Sequence, residues 1–166
     1  AFLTRWAILL SSRYRIDDLA ALAEELGDLG MLDGLRALLD REERLAPERR
    51  HEPVIWHIRD GGLDNGDPDL AVAAQDLAVR TWPSRQIEWR VLGDVALAAG
   101  RSAEARQAYD RALALGRDSV ETRERLNALE EGDLEQFAQL HGYGSSPVRQ
   151  FNRSARSGRA LPGGLA

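Results

Sequence analysis

The sequence predicts an all-α protein, and three of its features support that fold class. Leucine and alanine recur at spacings of three and four from Phe2 to about Gly142, the pattern of helices that pack on one side. No stretch shows the alternation of apolar and polar residues that is typical of a strand. Glycine and proline interrupt the pattern at short intervals, so we expect short helices whose neighbours run antiparallel.

The composition limits the kind of protein and of site. A chain of 166 residues is long enough for one domain with a hydrophobic core. It contains no cysteine, which excludes disulfides, zinc–thiolate sites and cysteine nucleophiles. No apolar run reaches the ~18–20 residues that cross a bilayer. We therefore expect a soluble domain, and the compartment stays open between cytoplasm and periplasm.

The first two clear helices lie in "DDLAALAEELGDLG" and "GLRALLDREERLAP". Gly27 and Gly30 should end the first of them, because glycine adopts the backbone conformation that closes a helix. Pro47 should lie just beyond the second, because proline cannot continue a helix. Both sequences therefore predict helices of about a dozen residues.

The middle of the chain repeats with a period of 34 residues. Shifting the sequence by that number places Asn65–Val79 over Ala99–Leu113, with Gly66 over Gly100. A register kept across two helices and the turn between them indicates a true structural repeat. The other matched pairs are Ile55 with Trp89, Ile58 with Leu92, Leu63 with Leu97, Ala71 with Ala105, Ala74 with Ala108, Asp76 with Asp110, and Ala78 with Ala112.

The repeat resembles the tetratricopeptide repeat (TPR) family. Its best copy carries the family's pattern of a tryptophan, a leucine–glycine pair, a turn glycine and spaced small and aromatic residues. The residues that carry this pattern are Trp89, Leu92, Gly93, Gly100, Ala105, Tyr109 and Ala112. The resemblance implies a TPR-like α-solenoid, a right-handed superhelical array of antiparallel helix hairpins.

The resemblance also divides the chain. It implies repeats at about residues 17–49, 52–84 and 85–118, a capping hairpin at 119–142, and a helix of a truncated upstream repeat at 1–14. The copy at 17–49 is offset by 36 rather than 34 residues, so the linker after it should be slightly longer. Residues 143–166 form a basic tail rich in glycine, serine and arginine.

The copy at 52–84 departs from the pattern at two positions. It has Arg59 where the small glycine is expected and Gln75 where an aromatic residue is expected. In the next copy Gly93 should let the two helices approach closely, with Tyr109 and Trp89 filling the space between hairpins. We therefore expect looser packing inside the hairpin that contains Arg59.

The acidic stretch "RDGGLDNGDPDLA" at residues 59–71 suggests a metal-binding loop, but its spacing favours a turn. A calcium loop needs oxygen ligands at alternate positions and a closing glutamate, and this stretch has neither. The repeat register makes Gly66 the turn glycine, Asp67 the cap of the next helix and Pro68 part of its first turn. A weak divalent-cation site is the alternative.

No catalytic constellation stands out in the sequence. His51, His57 and His141 have no metal-ligand spacing, so surface or capping positions are expected for them. There is no nucleophile elbow and no glycine-rich phosphate loop. We therefore expect a non-enzymatic protein without a cofactor or a metal.

The first helix of each hairpin should line a concave groove, as the resemblance implies. Trp56 is one position out of register with Trp89 and should point into that groove, where an exposed aromatic residue can anchor a partner; partial burial against the next hairpin is the alternative. The candidate partner-binding residues are Trp56, Asp60, Arg90, Asp94, Leu97 and Glu124, with Glu24, Asp28 and Glu121 in the same groove.

The charge of the groove favours a basic partner. Through Ser145 the chain has 18 arginines against 27 acidic residues, a balance of −9. Such a surface attracts a basic peptide or helical segment, although a solvated acidic face without a ligand is the alternative. The acidic body makes nucleic acid an unfavourable partner. The tail after Ser145 has four arginines and no acidic residue, so self-association through it, or docking into the acidic groove, is a further hypothesis.

The function expected from the resemblance is a protein–protein interaction scaffold. Its setting would be a bacterial assembly, secretion or envelope complex. The alternatives are an accessory TPR domain of a larger enzyme or regulator, or a homo-oligomerisation module.

Overall fold

The structure, a computed structural model, describes residues 16–116 and 119–131. This part of the chain contains seven α-helices and no strand, so the all-α prediction is confirmed for it. The helix predicted at 1–14, the end of the capping hairpin at 132–142 and the tail at 143–166 lie outside the described residues. The helices are α1 (Ile16–Asp28), α2 (Leu32–Arg44), α3 (Glu52–Asp64), α4 (Pro68–Thr81), α5 (Gln86–Ala98), α6 (Ser102–Leu115) and α7 (Val120–Glu131).

Three turns join α1 to α2, α3 to α4 and α5 to α6 with the same geometry. Gly30, Gly66 and Gly100 occupy them with φ of 68°, 74° and 74°. In each turn the residue after the glycine donates its N–H, over 2.8 Å, to the carbonyl five residues back. This is the Schellman arrangement, which satisfies carbonyl groups that a helix end leaves without partners. The predicted role is confirmed for Gly30, Gly66 and Gly100, whereas Gly27 does not end α1 but lies within it, against Gly61 of α3.

The start of α4 also agrees with the sequence prediction. Asp67 is the N-cap residue, and its Oδ1 accepts a hydrogen bond from the N–H of Leu70 over 3.1 Å. Pro68 is the first helical residue, where its missing N–H costs nothing. Between α2 and α3 a short 3₁₀ turn, Pro47–Arg49, makes the linker longer than the other connections, as the 36-residue offset predicted.

The helices of the pairs α3–α4 and α5–α6 run antiparallel. In the pair α3 and α4, Arg59 hydrogen-bonds to Gln75, while Gly62 lies close to the backbone of Ala71. In the pair α5 and α6, Gly93 lies against the ring of Tyr109. Residues later in the first helix therefore meet residues earlier in the second, so each pair is a hairpin.

The hairpins pack on one another through apolar faces. The largest core is formed by α1, α2, α3 and α4, and it contains fully buried leucines and isoleucines such as Leu35, Ile55 and Leu77. A smaller cluster around Val95 connects α4 to α5, and a third around Tyr109 connects α5 and α6 to α7. Each hairpin thus covers apolar surface of its neighbour, which links the described helices into one continuous packing.

Glycines allow α1 and α3 to approach closely. A Cβ on Gly27 would lie 3.1 Å from the Cα of Gly61, closer than nearly all packed Cβ atoms. Asn65 fastens this approach, since its Nδ2 donates to the carbonyls of Gly27 and Gly61 over 2.7 and 2.8 Å. None of the described helices combines the length and apolar character that crossing a membrane requires.

Candidate interaction surface and buried polar networks

A buried polar network joins α5, α6 and α7. The Tyr109 hydroxyl donates to Oδ1 of Asp94 over 2.7 Å, and Nε of Arg125 donates to the same oxygen over 3.1 Å. All three side chains are buried. A Cβ on Gly93 would lie only 2.3 Å from Cε1 of Tyr109, so the glycine makes room for the ring. The predicted close approach at Gly93 is confirmed.

The equivalent positions of α3 and α4 hold a different network. Nη1 of Arg59 donates to Oε1 of Gln75 over 3.1 Å, and Nε2 of Gln75 donates to Oε2 of Glu88 over 2.8 Å. Gln75 is fully buried and Glu88 is nearly so. Hydrogen bonds thus take the place of the aromatic ring in this hairpin and connect it to α5.

Two predicted groove residues lie in packed surroundings instead. Asp94 is only 5% exposed, and its carboxylate is engaged by Tyr109 and Arg125, so it does not face an open groove as expected. Leu97 is partly buried and packs against the cluster around Tyr109. Both side chains hold the last described helices together. Neighbouring helices cover the face on which the sequence predicts an open groove, so Asp94 and Leu97 contact those helices.

The other predicted residues keep more of their surface. Trp56 is 40% exposed, and Glu124 is exposed on α7. Asp60 is partly exposed and accepts a hydrogen bond from Nε of Arg59 over 2.9 Å. Arg90 forms an ion pair with Glu121, which connects α5 to α7. Glu24, Asp28 and Glu121 are also exposed.

Trp89 occupies a position between core and surface. It was predicted to fill the space between hairpins, yet it is only partly buried, and its indole N–H donates to the carbonyl of Pro83 over 2.8 Å. The guanidinium of Arg111 lies over the ring, 5.8 Å from its centre. This tryptophan thus fastens the start of α5 to the preceding loop.

Exposed apolar side chains recur on the first helices. Trp56 on α3, Ile87 on α5 and Val120 on α7 are 40%, 46% and 63% exposed. Trp56 and Ile87 are 31 residues apart, the separation that also brings Arg90 to Glu121 and Asp94 to Arg125 across adjacent first helices. We call the surface formed by Trp56, Ile87, Arg90, Val120 and Glu124 the first-helix surface.

Sequence reasoning missed a buried acid at the α2–α3 junction. Glu42 is fully buried, and its carboxylate accepts the backbone N–H of His51 over 2.8 Å and lies 2.9 Å from Nδ1 of the same residue. Arg41 pairs with it as well. The spacing in the sequence indicates this burial, because Glu42 continues the buried stripe of Leu35, Leu38 and Leu39 along one helix face. Its charge instead suggested an exposed position.

The acidic stretch at 59–71 does not assemble into a metal centre. Within residues 16–116 and 119–131, no three histidine or carboxylate side chains are grouped so as to hold an ion. Gly61, Asn65 and Gly66 serve helix packing and the turn, and Asp67 caps α4 while pairing with Arg36. The stretch is a structural junction.

No family model matches the chain, and no curated protein matches it either.

Proposed function

We propose that this chain is a TPR-like array, with its hairpins in a right-handed superhelix, and that it acts as a non-enzymatic scaffold. On this proposal the first-helix surface binds a basic peptide or helical segment of another protein. The turn geometry supports the repeat. The same pair of backbone hydrogen bonds recurs around Gly30, Gly66 and Gly100, at offsets of 36 and 34 residues.

The recurrence of exposed apolar side chains on α3, α5 and α7 carries the functional proposal. Single exposed apolar residues are common on protein surfaces, so the recurrence at the first helices, and not the exposure alone, favours a binding surface. Tryptophan and arginine are enriched in binding hot spots, and this surface holds Trp56 and Arg90. Trp56 is the largest of the three exposed apolar side chains, so we assign it the role of anchor.

The charge of the described residues supports a basic partner. They contain 14 arginines against 24 acidic residues, a balance of −10. Several of these arginines pair with acidic residues of other helices, such as Arg90 with Glu121 and Arg85 with Glu52. The net field is therefore negative, which speeds the approach of a cationic segment and weakens with added salt.

The test is a selection from a library of random displayed peptides on the purified full chain. The affinity of the selected peptides is then measured by fluorescence anisotropy. We expect basic peptides with apolar residues, and we expect Trp56→Ala to weaken their binding at least about tenfold, which corresponds to about 1.4 kcal/mol.

Leu29→Ala is the matched control, because Leu29 is an exposed leucine in the α1–α2 turn, away from the first helices. It should leave the affinity unchanged. Equal affinities of the Trp56→Ala and wild-type chains would overturn the assignment of the surface, and enrichment of acidic peptides would overturn the proposed partner class.

A further inference from the structure

A second surface lies on the opposite helices of the two middle hairpins. An open cleft of about 470 Å³ separates α4 from α6, and Leu92 contributes to its lining from α5. The apolar part of the lining consists of Val72, Ala73, Leu92 and Ala108. No residue of the first-helix surface lines it, so its function is independent of the one proposed above.

The cleft has an acidic rim. Asp69, Asp76 and Glu104 line it, and more than half of each side chain is exposed. Arg101 is the one basic residue of the lining, and it pairs with Asp69 over 2.6 Å and with Glu104 over 3.3 Å. Hydrogen bonds to Asp69 first and to Glu104 second raise the pKa of the Arg101 guanidinium. Asp76 pairs with Arg80, which lies outside the lining, over 2.9 Å. The three rim carboxylates thus lie near two guanidinium groups, which leaves the rim with one excess negative charge.

We propose that the arginine-rich segment of this chain, residues 146–166, docks into the cleft between α4 and α6. This segment has four arginines and no acidic residue. An arginine side chain suits the lining, because its methylene stem covers apolar surface while its guanidinium reaches the rim carboxylates. The segment is positive and the rim of the cleft is negative, and this complementarity is the reason for proposing the segment as the occupant.

The connection is long enough for the segment to reach the cleft of its own molecule. Seventeen residues lie between Glu131, where α7 ends, and Arg149, the first arginine of the segment. An extended chain of that length spans up to about 60 Å. A tethered segment acts at an effective concentration in the millimolar range, so even weak contacts fill the cleft.

Disulfide trapping in the full chain tests the proposal, and the natural absence of cysteine makes every introduced thiol unambiguous. Gln107→Cys places a thiol in the cleft and Ser154→Cys places one in the segment. Ala21→Cys with Ser154→Cys is the control pair, since Ala21 is an exposed residue of the acidic helix α1. We expect the cleft pair to oxidise at least about fivefold faster, as an intramolecular contact of raised effective concentration should.

Charge variants sharpen the result. Asp76→Asn with Glu104→Gln should slow trapping at the cleft, whereas Asp17→Asn with Glu24→Gln, which changes the net charge equally, should leave it unchanged. About 1 M NaCl, where the Debye length is about 3 Å, should remove much of the preference. Equal trapping of the cleft pair and the control pair would overturn the proposal. Disulfide-linked dimers in place of closed monomers would overturn docking within one molecule.

Discussion

The two middle hairpins fill the same position of the repeat in opposite ways. In the hairpin of α5 and α6, Gly93 leaves space that the ring of Tyr109 occupies. In the hairpin of α3 and α4, the large Arg59 replaces the glycine and the smaller Gln75 replaces the ring, with a hydrogen bond between them. In α5 and α6 the bulk lies on the second helix, whereas in α3 and α4 both helices contribute a long polar side chain.

Both sets of hydrogen bonds also include a residue of the helix that follows the hairpin. Gln75 donates to Glu88 at the start of α5, and Tyr109 shares Asp94 with Arg125 of α7. Each network therefore fixes the packing within its hairpin and the contact to the next helix at once. The two hairpins therefore share the geometry of the turn, whereas the size and the chemistry of the side chains at this position differ.

The largest expected effect comes from breaking the close approach at Gly93. Gly93→Ala would place a methyl group inside the Tyr109 ring, and moving the ring disturbs its hydrogen bond to Asp94. We expect the free energy of unfolding to fall by about 3 kcal/mol, at the upper end of overpacking effects. Urea unfolding followed by circular dichroism measures it.

A second background separates the clash from other effects of alanine. In a Tyr109→Gln chain, which resembles the hairpin of α3 and α4, Gly93→Ala should be neutral or stabilising by up to about 1 kcal/mol through helix propensity. A loss of the same size in both backgrounds would contradict the explanation from ring packing.

The second largest effect should come from removing the buried amide of Gln75. Gln75→Leu keeps the volume but removes the amide that contacts both Arg59 and Glu88, which leaves a nearly buried carboxylate without this donor. We expect a loss of about 2 kcal/mol in the free energy of unfolding. Asn127→Leu, at an exposed asparagine of α7, is the control and should change stability by less than about 0.5 kcal/mol. A similar result for both variants would show that the buried network contributes little.

The smallest effect concerns the turns. Asn65 bonds to carbonyls of Gly27 and Gly61, while the equivalent residue of the next turn is Ala99. Asn65→Ala should therefore lower the free energy of unfolding by about 1.5 kcal/mol. The reciprocal change, Ala99→Asn, should bring no comparable gain. Val95 stands at the position equivalent to Gly61, and without a glycine there the preceding helix cannot approach as closely as α1 approaches α3. An equal and opposite gain there would mean that the bond forms at either turn.

Local features were predictable from the sequence and features that depend on neighbours were not. Gly66, Asp67 and Pro68 follow from backbone needs that are encoded within a few residues, and the structure confirms them. The burial of Asp94 depends on Arg125, which lies 31 residues away on a different helix. A repeat register identifies the face on which a residue lies, but not whether the next hairpin covers it.

The Asn65–Gly66 step has a consequence for the chemical lifetime of the protein. Asparagine followed by glycine is prone to deamidation, in which the side-chain amide is lost through a cyclic imide. Here the amide that would be lost is the one that donates to Gly27 and Gly61. Deamidation would put a carboxylate against two carbonyl oxygens and turn an attraction between hairpins into repulsion. The residue that joins α3 to α1 is thus also the one whose deamidation would weaken the contact between these helices.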